Sequence, residues 1–153
     1  MFIKTLQIQN FKCFDNEVKS LDFNIPDGQT LGSGLNIFVG DNNSGKSTIF
    51  EGVDFLRDNT SKDLKDIKNK KSSNDDEMFV EVIFTGKITD VIDNFSQQNK
   101  KEVFKKYIYK NEDESEEYFK LSRSSKNIKA LQLWNNDESK FKNEAGIDAP
   151  LKK

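Results

Sequence analysis

The chain has 153 residues with 34% hydrophobic and 33% charged positions, and 24 basic against 26 acidic residues leave a net charge of −2. That length suits one domain burying roughly 68–70% of its unfolded surface, and the charge balance lacks the basic excess of a dedicated nucleic-acid-binding domain. The lone Cys13 excludes an internal disulfide, the absence of histidine removes Ser–His and Cys–His nucleophiles and most zinc sites, and no 18-residue apolar run or signal-peptide core occurs, so the reading is a soluble cytoplasmic protein without a membrane partner.

FIKTLQIQNF (2–11) alternates β-branched and aromatic residues with polar ones, and Leu21, Phe23 and Ile25 alternate with Asp22 and Asn24, so two strands are expected in the first 25 residues. PDGQTLGSG (26–34) is rich in turn formers. LNIFV (35–39) is a short apolar run bounded by glycines and predicts a strand buried on both faces. Ile49, Val53 and Leu56 recur at helical spacing and predict a helix from Ser47 to Leu56.

The charged stretch 58–77 reads as a mobile surface insertion. MFVEVIFTGKI (78–88) predicts a strong strand with Val80, Val82 and Phe84 on one face. Residues 89–109 predict a helix, and 111–117 an acidic turn. EYFKLSR and IKALQLW predict a hairpin, with a polar tail from Asn135 onward.

Gly40-Asp-Asn-Asn-Ser-Gly45-Lys46-Ser47 satisfies GxxxxGK[ST] at every fixed position. With background Gly near ~7%, a chance match in a chain this long is on the order of one in a hundred. The motif also follows a predicted strand and opens an amphipathic helix, the arrangement that a phosphate-binding loop requires. Backbone N–H groups from Asn42 through Asn43, Ser44, Gly45 and Lys46 to Thr48 can turn toward a β-phosphate and add to the positive helix end. Gly40 and Gly45 permit the necessary backbone angles. Lys46 reaches the β- and γ-phosphates, Ser47 offers its hydroxyl to Mg²⁺, and Thr48 is placed for the α-phosphate. ATP and Mg²⁺ are the expected cofactors. No guanine-reading Asn-Lys-x-Asp occurs, and Arg57 and Arg123 are too few and scattered for a kinase lid.

Asn10-Phe11-Lys12-Cys13-Phe14 after a first strand, with Gly34-Leu35-Asn36 leading into the loop, resembles the opening of the ABC-type ATPases that include RecF and the chromosome-maintenance (SMC) proteins. Asn42-Asn43-Ser44-Gly45-Lys46 is more similar to the overcoming-lysogenisation-defect (OLD) nucleases and related phage-defence ATPases, with Asn43 tolerating a left-handed conformation. The resemblance covers residues 1–57. It implies an α/β P-loop NTPase: an incomplete ABC-type ATPase lobe with a mixed sheet around the P-loop helix, the whole of 1–153 being one lobe. It also implies a homodimer or higher oligomer, and DNA handling through regions outside the resemblance. Lys12 would lie near the phosphates on that resemblance, whereas its residue type alone equally suits a solvated strand-end lysine.

No Walker B strand and no Leu-Ser-Gly-Gly signature segment occurs. FVEVIF runs into Thr-Gly, and LQLWNND is interrupted by polar residues. The acidic run Glu112–Glu117 reads as a solvated turn, and Lys100, Lys101, Lys105, Lys106 and Lys110 as a solvated face balanced by neighbouring acids. The expectation is therefore a chain that binds ATP without turning it over alone, as the N-terminal lobe of a larger ATPase. Two other readings stand beside it: a complete nucleotide-binding module that docks on a partner ATPase, and a degenerate P-loop fold with a structural role.

Overall fold

β1 (Phe2–Gln9) carries Leu6 and Ile8 on one face, both fully buried, and pairs antiparallel with β2 (Lys19–Asp22) on one side and β3 (Phe79–Thr85) on the other. The computed structural model describes residues 1–57, 63–88, 92–93, 95–112 and 115–143. Beyond β3 the sheet continues through β5 (Glu117–Ser124), β6 (Gln132–Asn135) and β7 (Lys140–Lys142), with the short β4 (Tyr109–Lys110) also pairing with β5. The order is β2-β1-β3-β5-β6-β7, and every pairing among the described strands is antiparallel.

One sheet face carries Leu6, Ile8, Val80, Val82, Phe119 and Leu121, all buried. Helix α1 (Lys46–Arg57) lies across it and buries Ile49, Phe55 and Leu56. Gly52 lets the helix come close: a Cβ built there would stand 3.3 Å from Ile8 Cδ1 and 3.6 Å from Val80 Cγ1. Burying each large apolar side chain contributes about 1.5–3 kcal/mol, so this face is the main source of stability. On the same face Phe104 of α3 (Gln98–Lys105) meets Phe119 with ring centroids 5.4 Å apart, and Phe119 stacks on Phe84 at 4.9 Å.

The α/β fold, the P-loop helix and the β5–β6 hairpin agree with the sequence reading, and Val80, Val82 and Phe84 do share a face. Four expectations are corrected. The second strand spans Lys19–Asp22 and stops before Phe23. LNIFV forms no strand: Leu35, Ile37 and Val39 are 61%, 71% and 86% exposed, and among the described residues no strand pairs with the segment. Of the helix expected over 89–109, residues 92–93 and Gln98–Lys105 are helical, but Tyr109 instead enters β4, where its ring stacks on Tyr118 at 5.6 Å; residues 89–91 and 94 lie outside the described residues. The polar tail contains β7, fixed by Trp134 and Phe141, whose rings meet edge-on at 5.1 Å.

Of the expected insertion 58–77, residues 58–62 lie outside the described residues. The remainder carries α2 (Leu64–Ile67), whose Ile67 is 1% exposed. Lys68 pairs with Phe11 in an isolated bridge and donates to the carbonyls of Ser73, Asn74 and Asp76, which organises the loop that follows.

Candidate nucleotide site

Residues 40–45 lead directly into α1, so the phosphate-loop motif sits at a helix N-terminus above the buried sheet face. Asn43 has φ 68 and Gly45 φ 91, two left-handed residues flanking Ser44 that bend the loop back on itself. The Lys46 ammonium spans the mouth, donating to the carbonyls of Gly40 and Asp41 at 2.7 Å each and to Ser44 Oγ at 3.3 Å. Asn42, Asn43, Ser44 and Ser47 are exposed, while Gly45 and Thr48 are buried against the protein. The arrangement is an exposed loop with one cation across it and a helix dipole behind it, which suits a polyphosphate once Lys46 turns from the loop's carbonyls.

The turn after β1 packs under this loop. Asn10 and Lys12 have φ 52 and 51, and Asn10 N donates to Asp15 O at 2.7 Å to close the turn. Phe11, fully buried, sits 5.5 Å from Phe55 of α1. The Cys13 thiol donates to Thr48 Oγ1 at 3.5 Å, and a Cβ on Gly45 would lie 2.8 Å from Cys13 Sγ. Glycine is required at 45 for both reasons, its positive φ and the sulfur beneath it.

Lys12 is ion-paired with Glu51 of α1 at 2.7 Å, both side chains partly exposed. Beside them a cavity of about 640 Å³ is lined by Lys12, Cys13, Asp15, Asp66, Lys68, Asn69, Lys70 and Lys71. It therefore adjoins the phosphate loop through Cys13, and lysines make up half of its lining beside two aspartates. The structure thus brings Lys12 to the flank of Gly40–Thr48.

Two residues of this neighbourhood escape a reading of the sequence. Glu51 has a usable signal, since it stands four residues after Ser47 and so on the same helix side. Asn69 has none, because its contacts join positions 57 and 55 residues apart. No group of three or more His, Cys, Asp or Glu side chains suited to a metal occurs among the described residues. No helix among them is long and apolar enough to cross a membrane.

The sequence matches the AAA ATPase domain family over residues 1–148. The chain belongs to that family. Among solved structures the ATPase domain superimposes on a chain from a study of the structural biochemistry of ATP-driven dimerization and DNA-stimulated activation of SMC ATPases. The TM-score is 0.53 at 18% identity, covering 99% of this chain and 78% of that one. No curated protein matches the sequence. The fold is that of a P-loop NTPase lobe, similar to that SMC ATPase structure.

Proposed function

We propose that this ATPase domain binds Mg-ATP at residues 40–48 as one lobe of a dimeric ABC-type ATPase of OLD-like kind, coupling the nucleotide state to DNA handling in phage defence. The observation that carries nucleotide binding is the Lys46 ammonium held over the Gly40–Ser44 loop at the head of a twelve-residue helix. Gly40, Asn42, Asn43, Ser44, Gly45 and Thr48 would cradle the phosphates with backbone N–H groups. Lys46 would leave its carbonyl partners for the β- and γ-phosphates, and Lys12 would approach from the flank. Ser47, exposed in the first helical turn, fits the single hydroxyl ligand that a P-loop gives Mg²⁺. When bound, the ion neutralises charge on the β- and γ-phosphate oxygens. The cavity beside Cys13 has room for the rest of the nucleotide.

Dimerisation and DNA handling rest on likeness to the SMC ATPases and on the sequence resemblance to OLD proteins. A second reading has an observation in its favour. Leu35, Ile37, Val39 and Phe50, exposed together around the phosphate-loop segment, suit a nucleotide-binding module that docks on a partner ATPase.

The decisive experiment is calorimetric titration with Mg-ATP. Lys46→Ala should weaken binding about ten- to a hundredfold, the loss of one charge-assisted bond. Unchanged affinity in a folded Lys46→Ala protein would overturn the proposal.

A further inference from the structure

We propose that Asn69 is a positioning residue for the nucleotide site, acting through Lys12; the assignment rests on the nucleotide-binding reading above. The Asn69 side chain is 9% exposed, and its Nδ2 donates to two carbonyls of the turn, Lys12 O at 2.7 Å and Phe14 O at 3.0 Å. Its Oδ1 accepts from Lys71 N at 2.8 Å, which orients the carboxamide. Main-chain bonds from Lys12 N to Ile67 O and from Asn69 N to Asn10 O, at 2.7 and 2.8 Å, run on either side. The segment after α2 therefore grips the turn between β1 and β2, and Asn69 is the side chain within that grip.

This grip matters because the turn is not a relaxed one. Asn10 and Lys12 both hold left-handed angles, which cost energy in residues other than glycine and persist only when the surroundings enforce them. The enforced geometry points the Lys12 ammonium to Glu51 on α1 and sets the Cys13 sulfur against Thr48 and Gly45. Without the Asn69 donor, Lys12 O and Phe14 O lose their side-chain partner. The turn can then relax toward ordinary angles and carry Lys12 away from the phosphate edge. Asn69 lines the same cavity as Lys12 and Cys13, so a change there is felt at the site without touching the phosphates.

The test is Asn69→Asp, which keeps the acceptor for Lys71 N and removes the donor to the two carbonyls. Mg-ATP affinity is measured in four proteins: wild type, Asn69→Asp, Lys12→Ala and the double variant. Asn69→Asp should weaken binding about tenfold in the wild-type background and less than about twofold in Lys12→Ala, the non-additivity expected of residues that act through one another. A purely structural role would lower the melting temperature of the nucleotide-free protein equally in both backgrounds and leave affinity alone. That result, or an equal affinity loss in both backgrounds, overturns the assignment. Should Asn69→Asp not fold, Asn69→Ser keeps a short acceptor for Lys71 N and is read in the same way. Absence of Mg-ATP binding by the wild-type protein would instead refute the nucleotide-binding reading itself, so the two failures are distinct.

Discussion

The guanidinium of Arg123, fully buried in β5, donates from Nη2 to the main-chain oxygen of Leu56 at 2.8 Å, in the last turn of the phosphate-loop helix. Nη1 reaches Ile128 O at 2.9 Å, and the planar group lies 5.7 Å from the Phe55 ring centroid. A cation at a helix C-terminus complements the dipole whose positive end faces the phosphate loop. Arg123 thus fixes the far end of α1 to the sheet.

Replacing Arg123 with Met keeps the apolar stem but leaves one buried and one partly buried carbonyl without these donors. The expected cost is about 2–4 kcal/mol, a fall of about 10 °C in melting temperature for a domain of this size. Arg123→Lys should recover only part of it, because an ammonium cannot span both carbonyls as the planar fork does. Thermal melts of the three proteins check this, and equal stability of wild type and Arg123→Met would refute the role.

Gly45→Ala should lose nucleotide binding as well as stability. The φ of 91 is strained for alanine, and the new methyl would stand 2.8 Å from Cys13 Sγ. Strain of roughly 1–2 kcal/mol follows from the backbone angle alone. The steric part is separable: Cys13→Ala removes the sulfur and should recover some of the lost stability in the double variant, leaving the backbone part. Additive effects in the double-mutant cycle would show that the turn does not press on the loop.

Much of this was legible in the sequence where a pattern is local. β1, α1, β3 and the β5–β6 hairpin follow from two- and 3.6-residue periodicities, and the phosphate loop follows from fixed glycine and lysine spacing. LNIFV failed because its burial depends on partner strands, which a local pattern cannot report; its apolar residues look the same with or without them. The helix expected over 89–109 overran its C-terminal end, because Tyr109 finds a cross-strand aromatic partner in Tyr118. The clamp on Lys12 was invisible for a different reason. Asn69 sits in a lysine-rich stretch that reads as solvated, and only the folded chain brings its carboxamide to two carbonyls of a distant turn.

The exposed apolar segment leads to a prediction about behaviour in solution. Ile37 and Val39 are 71% and 86% exposed, with Leu31 at 102% nearby in sequence. Clusters of this kind mark interaction surfaces or association liabilities. Ile37→Lys with Val39→Lys should reduce concentration-dependent self-association in sedimentation velocity, while changing folding stability by only about 0.5 kcal/mol, as exposed positions do. A large loss of melting temperature would mean that these side chains are buried in the solution state.

Asp27 supplies the pH dependence. Its carboxylate accepts from Thr30 N and Gln29 N at 2.8 Å each, closing the turn that precedes the phosphate-loop segment. The backbone bond from Thr30, then that from Gln29, holds the carboxyl well below the usual carboxylate range. Its folded-state value is thus depressed relative to the unfolded chain. The stabilisation is therefore fully present above the unfolded value, about 4, and is lost as pH falls through the folded one. The group is open to solvent, so screening keeps the effect modest. Wild type should melt above Asp27→Ala at pH 7, and the gap should narrow as the pH is lowered below about 4. A gap that stayed constant down to pH ~2, or that widened in acid, would mean that the ionised carboxylate does not hold this turn.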